Sequence, residues 1–178
     1  MRKKSFFVCL NIYMKIRDLQ PIIMPTKIIP AGENLYRGNA VFSPVKALRL
    51  KKKGITQVID LRQGNGFLVS FMRNLEQLYC KVLKIKYVNM GFDGYEQGAI
   101  PDMDFFEKIN KLIDNGENTY VHCYYGKHRT GHVLAMHQKA KGVDEKIILD
   151  QLMSIGWKTE GQKQNLKRFL DKYFPEKK

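Results

Sequence analysis

Acidic residues are scarce in this chain of 178 residues, in which 17 Asp and Glu stand against 31 Lys and Arg, giving a formal net charge of +14. Hydrophobic residues make up 44% and charged residues 27%, so the imbalance concerns the sign of the charge and not a disordered, highly charged composition. The length suits one domain with a full hydrophobic core. The excess of cations favours an anionic partner, such as a phosphorylated molecule, nucleic acid or an anionic membrane surface.

Cysteine is scarce too, and the three cysteines, Cys9, Cys80 and Cys123, are far apart in sequence. Three cysteines cannot all pair within one chain, which favours a reducing compartment, and we therefore expect a cytoplasmic protein. The oligomeric state is left open by the sequence.

Long apolar runs are missing, and no integral membrane segment is predicted. Phe6 to Met14 is the nearest approach, but Asn11 and Tyr13 interrupt it and it is too short to cross a bilayer. The run follows a basic start, as in an export signal, yet no small-residue cleavage site follows it. We expect residues 1–24 to be an extension, either disordered or the product of an upstream start, with Met14 and Met24 as alternative starts.

From residue 25 onward, short β-rich runs alternate with helical patterns, which predicts a single α/β domain whose central, mostly parallel sheet is flanked by helices. The strands are predicted at Leu35–Arg37 (an edge strand), Ile55–Leu61, Val82–Val88 and Thr119–His122. The helices are predicted after the caps Ser43 and Asp102, and over Phe67–Tyr79, Gly131–Ala140, Asp144–Ser154 and Thr159–Tyr173. A polar, glycine-bearing loop over Gly91–Ile100 is long enough to carry function.

The most informative segment is His122-Cys123-Tyr124-Tyr125-Gly126-Lys127-His128-Arg129-Thr130-Gly131, between a predicted strand and a predicted helix. Such a loop directs backbone N–H groups and the helix dipole at an anion, and a phosphate would fit there. The same field lowers the pKa of a cysteine that opens the loop, so Cys123 is predicted to be a nucleophile.

The other residues of this loop have predicted roles. The guanidinium of Arg129 can hold two phosphoryl oxygens and stabilise their charge as the leaving group departs. Gly126 permits the tight turn, and the Thr130 hydroxyl can donate to the thiolate. His122 can orient the cysteine backbone from behind. The predicted substrate-binding residues are Tyr124, Tyr125, Gly126, Lys127, His128 and Thr130, and Gly131 has a supporting role.

The pattern H-C-x5-R-T-G resembles the signature of the cysteine-dependent protein tyrosine and dual-specificity phosphatases. Leu35-Tyr36-Arg37-Gly38, Gly54-Ile55 and Val58-Ile59-Asp60-Leu61-Arg62 are similar to the N-terminal half of the small bacterial, fungal and plant members. Gly126 to Gly131 resembles the atypical dual-specificity group of plants and fungi, some of which hydrolyse inositol pyrophosphates. The resemblance implies a phosphatase domain over residues 25–178 and metal-free hydrolysis through a phosphocysteine, with no cofactor.

The family usually supplies a proton to the leaving oxygen from an aspartate about 30 residues before the cysteine. Asp93, flanked by glycines in a predicted loop, has this spacing and is the candidate general acid and base. Glu96 is the reserve candidate. Asp102 and Asp104 rank lower because helix capping explains them.

The sequence contains four histidines that lie close together, which is one feature of a zinc site: His122, His128, His132 and His137. A second cluster with metal-ligand spacing is missing, and no metal is predicted.

The sequence is compatible with three functions. The first is a phosphatase acting on a phosphorylated protein or on a polyanionic phosphate such as an inositol phosphate; the positive charge, Lys127 and His128 lean toward the polyanion. The second is an RNA 5′-triphosphatase, since the signature of those enzymes is similar and the positive charge of the chain would favour RNA as a partner. The third is a non-catalytic module that binds phosphate or other anions.

Overall fold

The computed structural model describes residues 27–64, 66–92, 101–157 and 160–174. Several sequence predictions fall outside these ranges: the extension over residues 1–24, the loop residues Asp93 and Glu96, and the helix cap at Thr159. Within the described ranges, no helix combines the length and the apolar character needed to cross a membrane.

Five strands form one sheet in the order β1-β2-β5-β3-β4. They are β1 (Ile28–Gly32), β2 (Leu35–Asn39), β3 (Gln57–Asp60), β4 (Lys86–Asn89) and β5 (Thr119–Cys123). β1 runs antiparallel to β2, and all other pairs are parallel. The carboxyl ends of β2, β3, β4 and β5 therefore meet at one edge of the sheet, which we call the site edge.

In the part of the chain that the structure describes, six helices accompany the sheet: α1 (Pro44–Lys52), α2 (Phe67–Val82), α3 (Met103–Ile113), α4 (His128–Ala140), α5 (Glu145–Ser154) and α6 (Glu160–Tyr173). Alternate residues of the central strands β3 and β5 enter two different cores. Val58 and Tyr120 pack with residues of α1 and α2. Ile59 and Val121 pack with residues of α3, α4, α5 and α6. The predicted α/β domain with a mostly parallel sheet between helices is confirmed.

Two helix starts follow from capping side chains, as predicted. The Ser43 hydroxyl accepts a hydrogen bond from the Lys46 N–H at 3.3 Å, ahead of the proline that begins α1. The Asp102 carboxylate accepts one from the Phe105 N–H at 2.9 Å at the start of α3. Both side chains satisfy a backbone donor that the helix itself leaves without a partner.

Several predicted boundaries were wrong. β1 was not predicted, and because it pairs with β2, the strand that begins at Leu35 lies inside the sheet and not at its edge. The strand predicted over Val82–Val88 begins only at Lys86, because α2 continues to Val82. α4 begins at His128, before the predicted Gly131, since the signature loop turns into the helix directly.

Candidate active site

The signature loop connects β5 to α4 at the site edge. Cys123 is the last residue of β5 and pairs in register with Asn39, the last residue of β2. The loop is held to the neighbouring chain by a hydrogen bond from the Ala40 N–H to the Tyr124 carbonyl at 3.1 Å. Both flanks of Cys123 are therefore fixed by the central strands of the sheet, and the loop that follows has little freedom to move relative to them.

The Cys123 sulfur lies in a buried pocket of hydrogen-bond donors. Burial alone would raise the pKa of the thiol. That effect is outweighed by hydrogen bonds from the Thr130 hydroxyl and N–H and from the Gly126 N–H, and by the charge of His122, so the pKa of Cys123 is lowered from its ordinary value of 9.0. The arrangement stabilises a thiolate.

Arg129 lies in the first turn of α4, one residue before Thr130. Its Nε is buried and has no hydrogen-bond partner among the described residues. A buried guanidinium N–H without a partner is costly, because such a group loses its hydrogen bonds to water and gains none in return. An oxyanion bound beside the thiolate would supply the missing acceptor.

The turn of the loop depends on two glycines that touch. Gly126 has a φ of +68°, in the region that favours glycine, and a Cβ there would lie 2.2 Å from the carbonyl oxygen of Gly38. Gly38 is equally confined, since a Cβ on it would lie 1.8 Å from the Lys27 carbonyl oxygen. The predicted role of Gly126 in the turn fits this geometry, whereas the matching requirement at Gly38 was missed.

Arg37 holds the same turn from β2, and sequence reasoning did not assign it a role. Its Nη2 donates to the Gly126 carbonyl at 2.6 Å and to the Lys127 carbonyl at 3.4 Å. Burial lowers the pKa of Arg37 to about 10, against the opposing charge of Cys123. Because Arg37 takes up the two carbonyls, the N–H groups of the loop are turned toward the sulfur side. The only sequence signal was its place in the Leu35-Tyr36-Arg37-Gly38 segment.

His122 connects the loop to a buried charged network. Its Nδ1 lies 3.1 Å from the Cys123 carbonyl oxygen, and its Nε2 lies 2.9 Å from Glu76 Oε1. Burial opposes protonation, but the negative charges of Glu76 and Asp60 outweigh it and raise the pKa of His122. When the ring is protonated, Nδ1 donates to the Cys123 carbonyl and the ring forms an ion pair with Glu76. This contact with the Cys123 backbone agrees with the supporting role predicted for His122.

Arg62 lies at the centre of that network, and its partners come from four separate segments of the chain. It forms a fork with Asp60, with Nη2 and Oδ2 at 2.7 Å, and an ion pair with Glu76 of α2. Its guanidinium also covers the rings of Phe42 and Tyr124, at 5.2 Å and 5.6 Å from their centroids. Two carboxylates and two cations, Arg62 and protonated His122, leave the network close to neutral.

Asp60, Glu76 and His122 also form the kind of group that could hold a metal ion, since their candidate ligand atoms lie within 4.8 Å of one another. Here Arg62 already lies against both carboxylates and takes their charge. A metal ion would have to displace a buried guanidinium that has few other partners. The group is therefore better explained as an ion-pair network that supports His122.

The remaining residues of the predicted signature surround this centre. Tyr125, Lys127 and His128 are exposed around the loop, and Tyr124 is half-buried. Behind the loop, Trp157 Nε1 donates to the Lys127 carbonyl at 3.3 Å. Gly131 lets α4 approach closely, because a Cβ there would lie 3.0 Å from both Leu152 and the Trp157 ring. Trp157 was not recognised from the sequence.

The residues predicted to donate the proton lie outside the described ranges, but the chain that leads to them is described. β4 ends at the site edge, and the Met90 N–H donates to the Asp60 carbonyl at 2.8 Å. Phe92, the residue before Asp93, packs edge-on against Phe105 of α3 with 5.2 Å between ring centroids. After β4 the described chain therefore leaves the sheet, up to Phe92, at the edge at which Cys123 lies.

Comparison with known proteins agrees with this site. The sequence matches the tyrosine phosphatase family over residues 31–173. No curated protein gives a significant sequence match. Among solved structures, the core catalytic domain of the PP-IP phosphatase Siw14 from S. cerevisiae is 18% identical, with a TM-score of 0.63 over 85% of this chain and 95% of that chain.

Two other solved structures share the fold. Kinase associated phosphatase is 19% identical, with a TM-score of 0.65 over 84% of this chain and 97% of that chain. TpbA from P. aeruginosa is 13% identical, with a TM-score of 0.61 over 82% of this chain and 83% of that chain. With the family match spanning most of the sequence and the signature loop folded around Cys123, the chain belongs to the tyrosine phosphatase family and is a phosphatase of the cysteine-dependent type.

Proposed function

We propose that Cys123 is the nucleophile of a phosphate monoester hydrolase that works through a phosphocysteine intermediate. The observation that carries this proposal is the environment of the sulfur, which combines burial at the site edge, three hydrogen-bond donors and a lowered pKa. A buried cysteine of purely structural function would have a raised pKa, as Cys80 does, where burial raises the pKa to about 12.

In the first step the Cys123 thiolate attacks the phosphorus atom. The S–P bond forms, the bond from phosphorus to the ester oxygen breaks, and the electron pair goes to that oxygen. The carboxylic acid of Asp93 gives the oxygen its proton, so the alcohol leaves neutral. Asp93 is proposed for this role on its spacing from Cys123 and because β4 leads its segment out at the site edge.

In the second step the carboxylate of Asp93 takes a proton from water as the water oxygen attacks the same phosphorus atom. The S–P bond breaks, the thiolate returns, and inorganic phosphate leaves. Arg129 is proposed to bind two of the non-bridging oxygens in both transition states, which would give its buried Nε an acceptor. The loop N–H groups would bind the third oxygen. No metal or cofactor takes part in either step.

For the substrate, the rim of the loop favours a polyanionic phosphate, such as an inositol phosphate, over phosphotyrosine. Lys127 and His128 are exposed beside Arg129, at the start of α4. A second phosphate group of the substrate would meet these side chains and the positive end of the helix. Tyr124 and Tyr125 would contact the remainder of the substrate. The relative Siw14 carries the description of a PP-IP phosphatase, which is in line with this substrate class.

Phosphate release from phosphotyrosine peptides, inositol polyphosphates and inositol pyrophosphates tests the nucleophile and the substrate class together. We expect Cys123→Ser to lose activity by at least about a thousandfold on every substrate that the unaltered protein hydrolyses, because the hydroxyl is not ionised near neutral pH. Cys80→Ala is the matched control and should retain turnover. Equal activity of Cys123→Ser and the unaltered protein would contradict the proposal. Faster release from phosphotyrosine than from the inositol compounds would contradict the substrate class alone.

Asp93→Asn tests the general acid and separates the proposed phosphatase from an RNA 5′-triphosphatase. We expect a loss of roughly a hundredfold or more on an aryl phosphate, since general acid catalysis contributes at this scale. Asp102→Asn is the matched control, because asparagine caps a helix as well as aspartate does. Unchanged turnover of Asp93→Asn, with phosphate released from 5′-triphosphate RNA, would favour the RNA enzyme. A loss in Glu96→Gln and not in Asp93→Asn would move the acid to Glu96.

A further inference from the structure

The outward side of α2 is apolar. Phe67, Phe71, Leu78 and Val82 follow one another at helical spacing, and they are 87%, 50%, 52% and 72% exposed. The rings of Phe67 and Phe71 stack on each other with 6.4 Å between their centroids. Surface helices normally direct such side chains into the core, and here the buried side of α2 carries Glu76 and Cys80. A contiguous set of exposed large apolar side chains marks an interaction surface.

α1 lies beside α2 on the same side of the sheet and extends this surface. The two helices pack against each other, and both contribute to the core around Val58 and Tyr120. Val45 and Leu48 of α1 are exposed on the side away from that core. We call the combined outward surface of the two helices the α1/α2 face.

The charges of this face have one sign. Exposed cations lie in the last turn of each helix and in the residues that follow it, namely Arg49, Lys51, Lys52, Lys53, Lys81, Lys84 and Lys86. α1 carries no acidic residue, and the single acid of α2, Glu76, is buried in the ion-pair network of His122. The face therefore presents apolar and cationic groups with no exposed carboxylate on either helix.

The combination of exposed apolar and cationic side chains indicates which kind of partner the α1/α2 face can bind. A second copy of the chain would bring the same cations against each other, which is repulsive without a carboxylate to pair them. An anionic bilayer supplies what the face lacks, because it offers negative headgroups at the level of the Lys and Arg side chains and an apolar layer just below them. The face combines exposed phenylalanines near the start of α2 with lysines at the ends of both helices. Exposed aromatic side chains together with lysines are the composition expected of a surface that lies in the membrane interface.

We propose that the α1/α2 face docks the protein on the surface of a bilayer rich in anionic lipids. Phe67, Phe71 and Val82 enter the boundary between headgroups and acyl chains, and the lysines of both helices contact lipid phosphates. α2 begins at the site edge, since it follows β3, so Phe67 marks the end of the face nearer to the signature loop. The docked protein would present that loop beside the membrane and not away from it.

Vesicle flotation with the full-length protein tests this docking. Vesicles of phosphatidylcholine and phosphatidylserine in a ratio of about 7:3 are compared with pure phosphatidylcholine. We expect binding to the anionic vesicles only, decreasing as salt is added. Phe67→Ser combined with Phe71→Ser should weaken binding by about tenfold or more, since each ring removed from the interface forfeits its transfer free energy. Lys51→Glu combined with Lys52→Glu should weaken it by a similar factor.

The matched controls carry the same changes on the other side of the sheet. Ile147→Ser with Met153→Ser alters exposed apolar side chains of α5, and Lys108→Glu with Lys111→Glu alters exposed lysines of α3. Both control variants should float as the unaltered protein does. Circular dichroism and thermal unfolding verify that all variants are folded. Because lipid binding does not need turnover, Cys123→Ser should bind equally well.

Several outcomes would overturn the proposal. One is no flotation with anionic vesicles, and another is equal loss in the control variants, which would indicate attraction by net charge alone. A third is flotation that survives the α2 changes but is lost when residues 1–26 are removed, since the binding element would then be that segment. A fourth is a dimer, seen by analytical ultracentrifugation, that dissociates in Phe67→Ser with Phe71→Ser while no variant binds vesicles; the face would then be a contact between two copies.

Discussion

Replacing Glu76 by Gln should alter the chemistry of Cys123 although the two side chains are separated by His122. Glu76 Oε1 lies 2.9 Å from His122 Nε2, and Glu76 also pairs with Arg62. Its negative charge is one cause of the raised pKa of His122, and the charge of His122 in turn helps to lower the pKa of Cys123. Glutamine keeps the shape of the side chain and removes the charge. We therefore expect a higher pKa of Cys123 in Glu76→Gln.

The cost in stability follows from burial. Both Glu76 and Arg62 have fully buried side chains, and removing one partner of such a pair costs about 3–5 kcal/mol. Glutamine retains one acceptor oxygen, but its NH₂ group then faces either Arg62 or His122, donor against donor. We expect a loss of about 3 kcal/mol in the free energy of unfolding, a large part of the ~5–15 kcal/mol of an ordinary domain.

The pH dependence of this loss has a definite sign. The pKa of His122 is higher in the native protein than its ordinary value of 6.5, so the native state holds this proton more tightly than the unfolded chain does. The resulting stabilisation of the native state is complete below about pH 6.5, and it is lost as the pH rises through the native-state pKa of His122. Glu76→Gln lacks the main charge that raises this pKa. The variant should therefore be most impaired, relative to the unaltered protein, at the acid end of the window.

Urea unfolding at several pH values measures the stability, and the rate of Cys123 alkylation by iodoacetamide against pH measures the thiolate. Glu107→Gln, at an exposed position of α3, is the control and should change stability by less than about 0.5 kcal/mol. An alkylation profile of Glu76→Gln that coincides with the unaltered one would refute the coupling through His122. A stability change as small as the control's would refute the ion-pair argument itself.

Two further predictions concern the first turn of α4. Thr130→Ala removes the hydroxyl that donates to the Cys123 sulfur, so the pKa of Cys123 should rise and its alkylation at pH 7 should slow by about tenfold. Thr130→Ser keeps a hydroxyl and should restore most of the rate. Equal alkylation rates in the two variants and the unaltered protein would contradict the assigned hydrogen bond. Gly131→Ala places a Cβ 3.0 Å from Leu152 and Trp157, so it should lower the free energy of unfolding by about 1–3 kcal/mol in thermal or urea unfolding. Gly161→Ala is the control, because a Cβ there meets nothing within 4 Å, and it should not destabilise the fold. Similar stabilities of the two variants would show that Leu152 and Trp157 can move to accommodate the added methyl group.

Much of the fold could be predicted because its signals are local. The caps Ser43 and Asp102 sit directly before their helices, and the strand ending in Cys123 is a short β-rich run. The signature loop could be predicted for the same reason, since its chemistry is contained in ten consecutive residues. β1 was missed because its pairing with β2 depends on tertiary hydrogen bonds and not on a strong strand pattern in Ile28–Gly32, which contains a proline and a glycine.

The support of the site was beyond sequence reasoning because it is assembled from distant segments. Arg37 reaches the carbonyl of Gly126 across 89 positions of sequence, and Glu76 of α2 contacts His122 of β5. In the sequence, Glu76 has the position of an ordinary polar residue on the exposed side of an amphipathic helix. Its burial follows from the unusual orientation of α2, which turns its phenylalanines outward and its carboxylate inward.

The antiparallel pairing of β1 has a practical consequence for how this protein should be handled. Because β1 runs opposite to β2, its first residues lie at the edge where β2 and β5 end, with Ile28 opposite Gly38 and the Lys27 N–H donating to Asn39 Oδ1 at 3.1 Å. The Tyr120 hydroxyl donates to the Asn39 carbonyl at 2.7 Å and lies 3.2 Å from the Lys27 carbonyl oxygen. A purification tag fused directly before Lys27 would therefore start at the site edge, close to the strand that ends in Cys123. Kinetic work on a protein shortened to begin there should use material from which the tag has been removed.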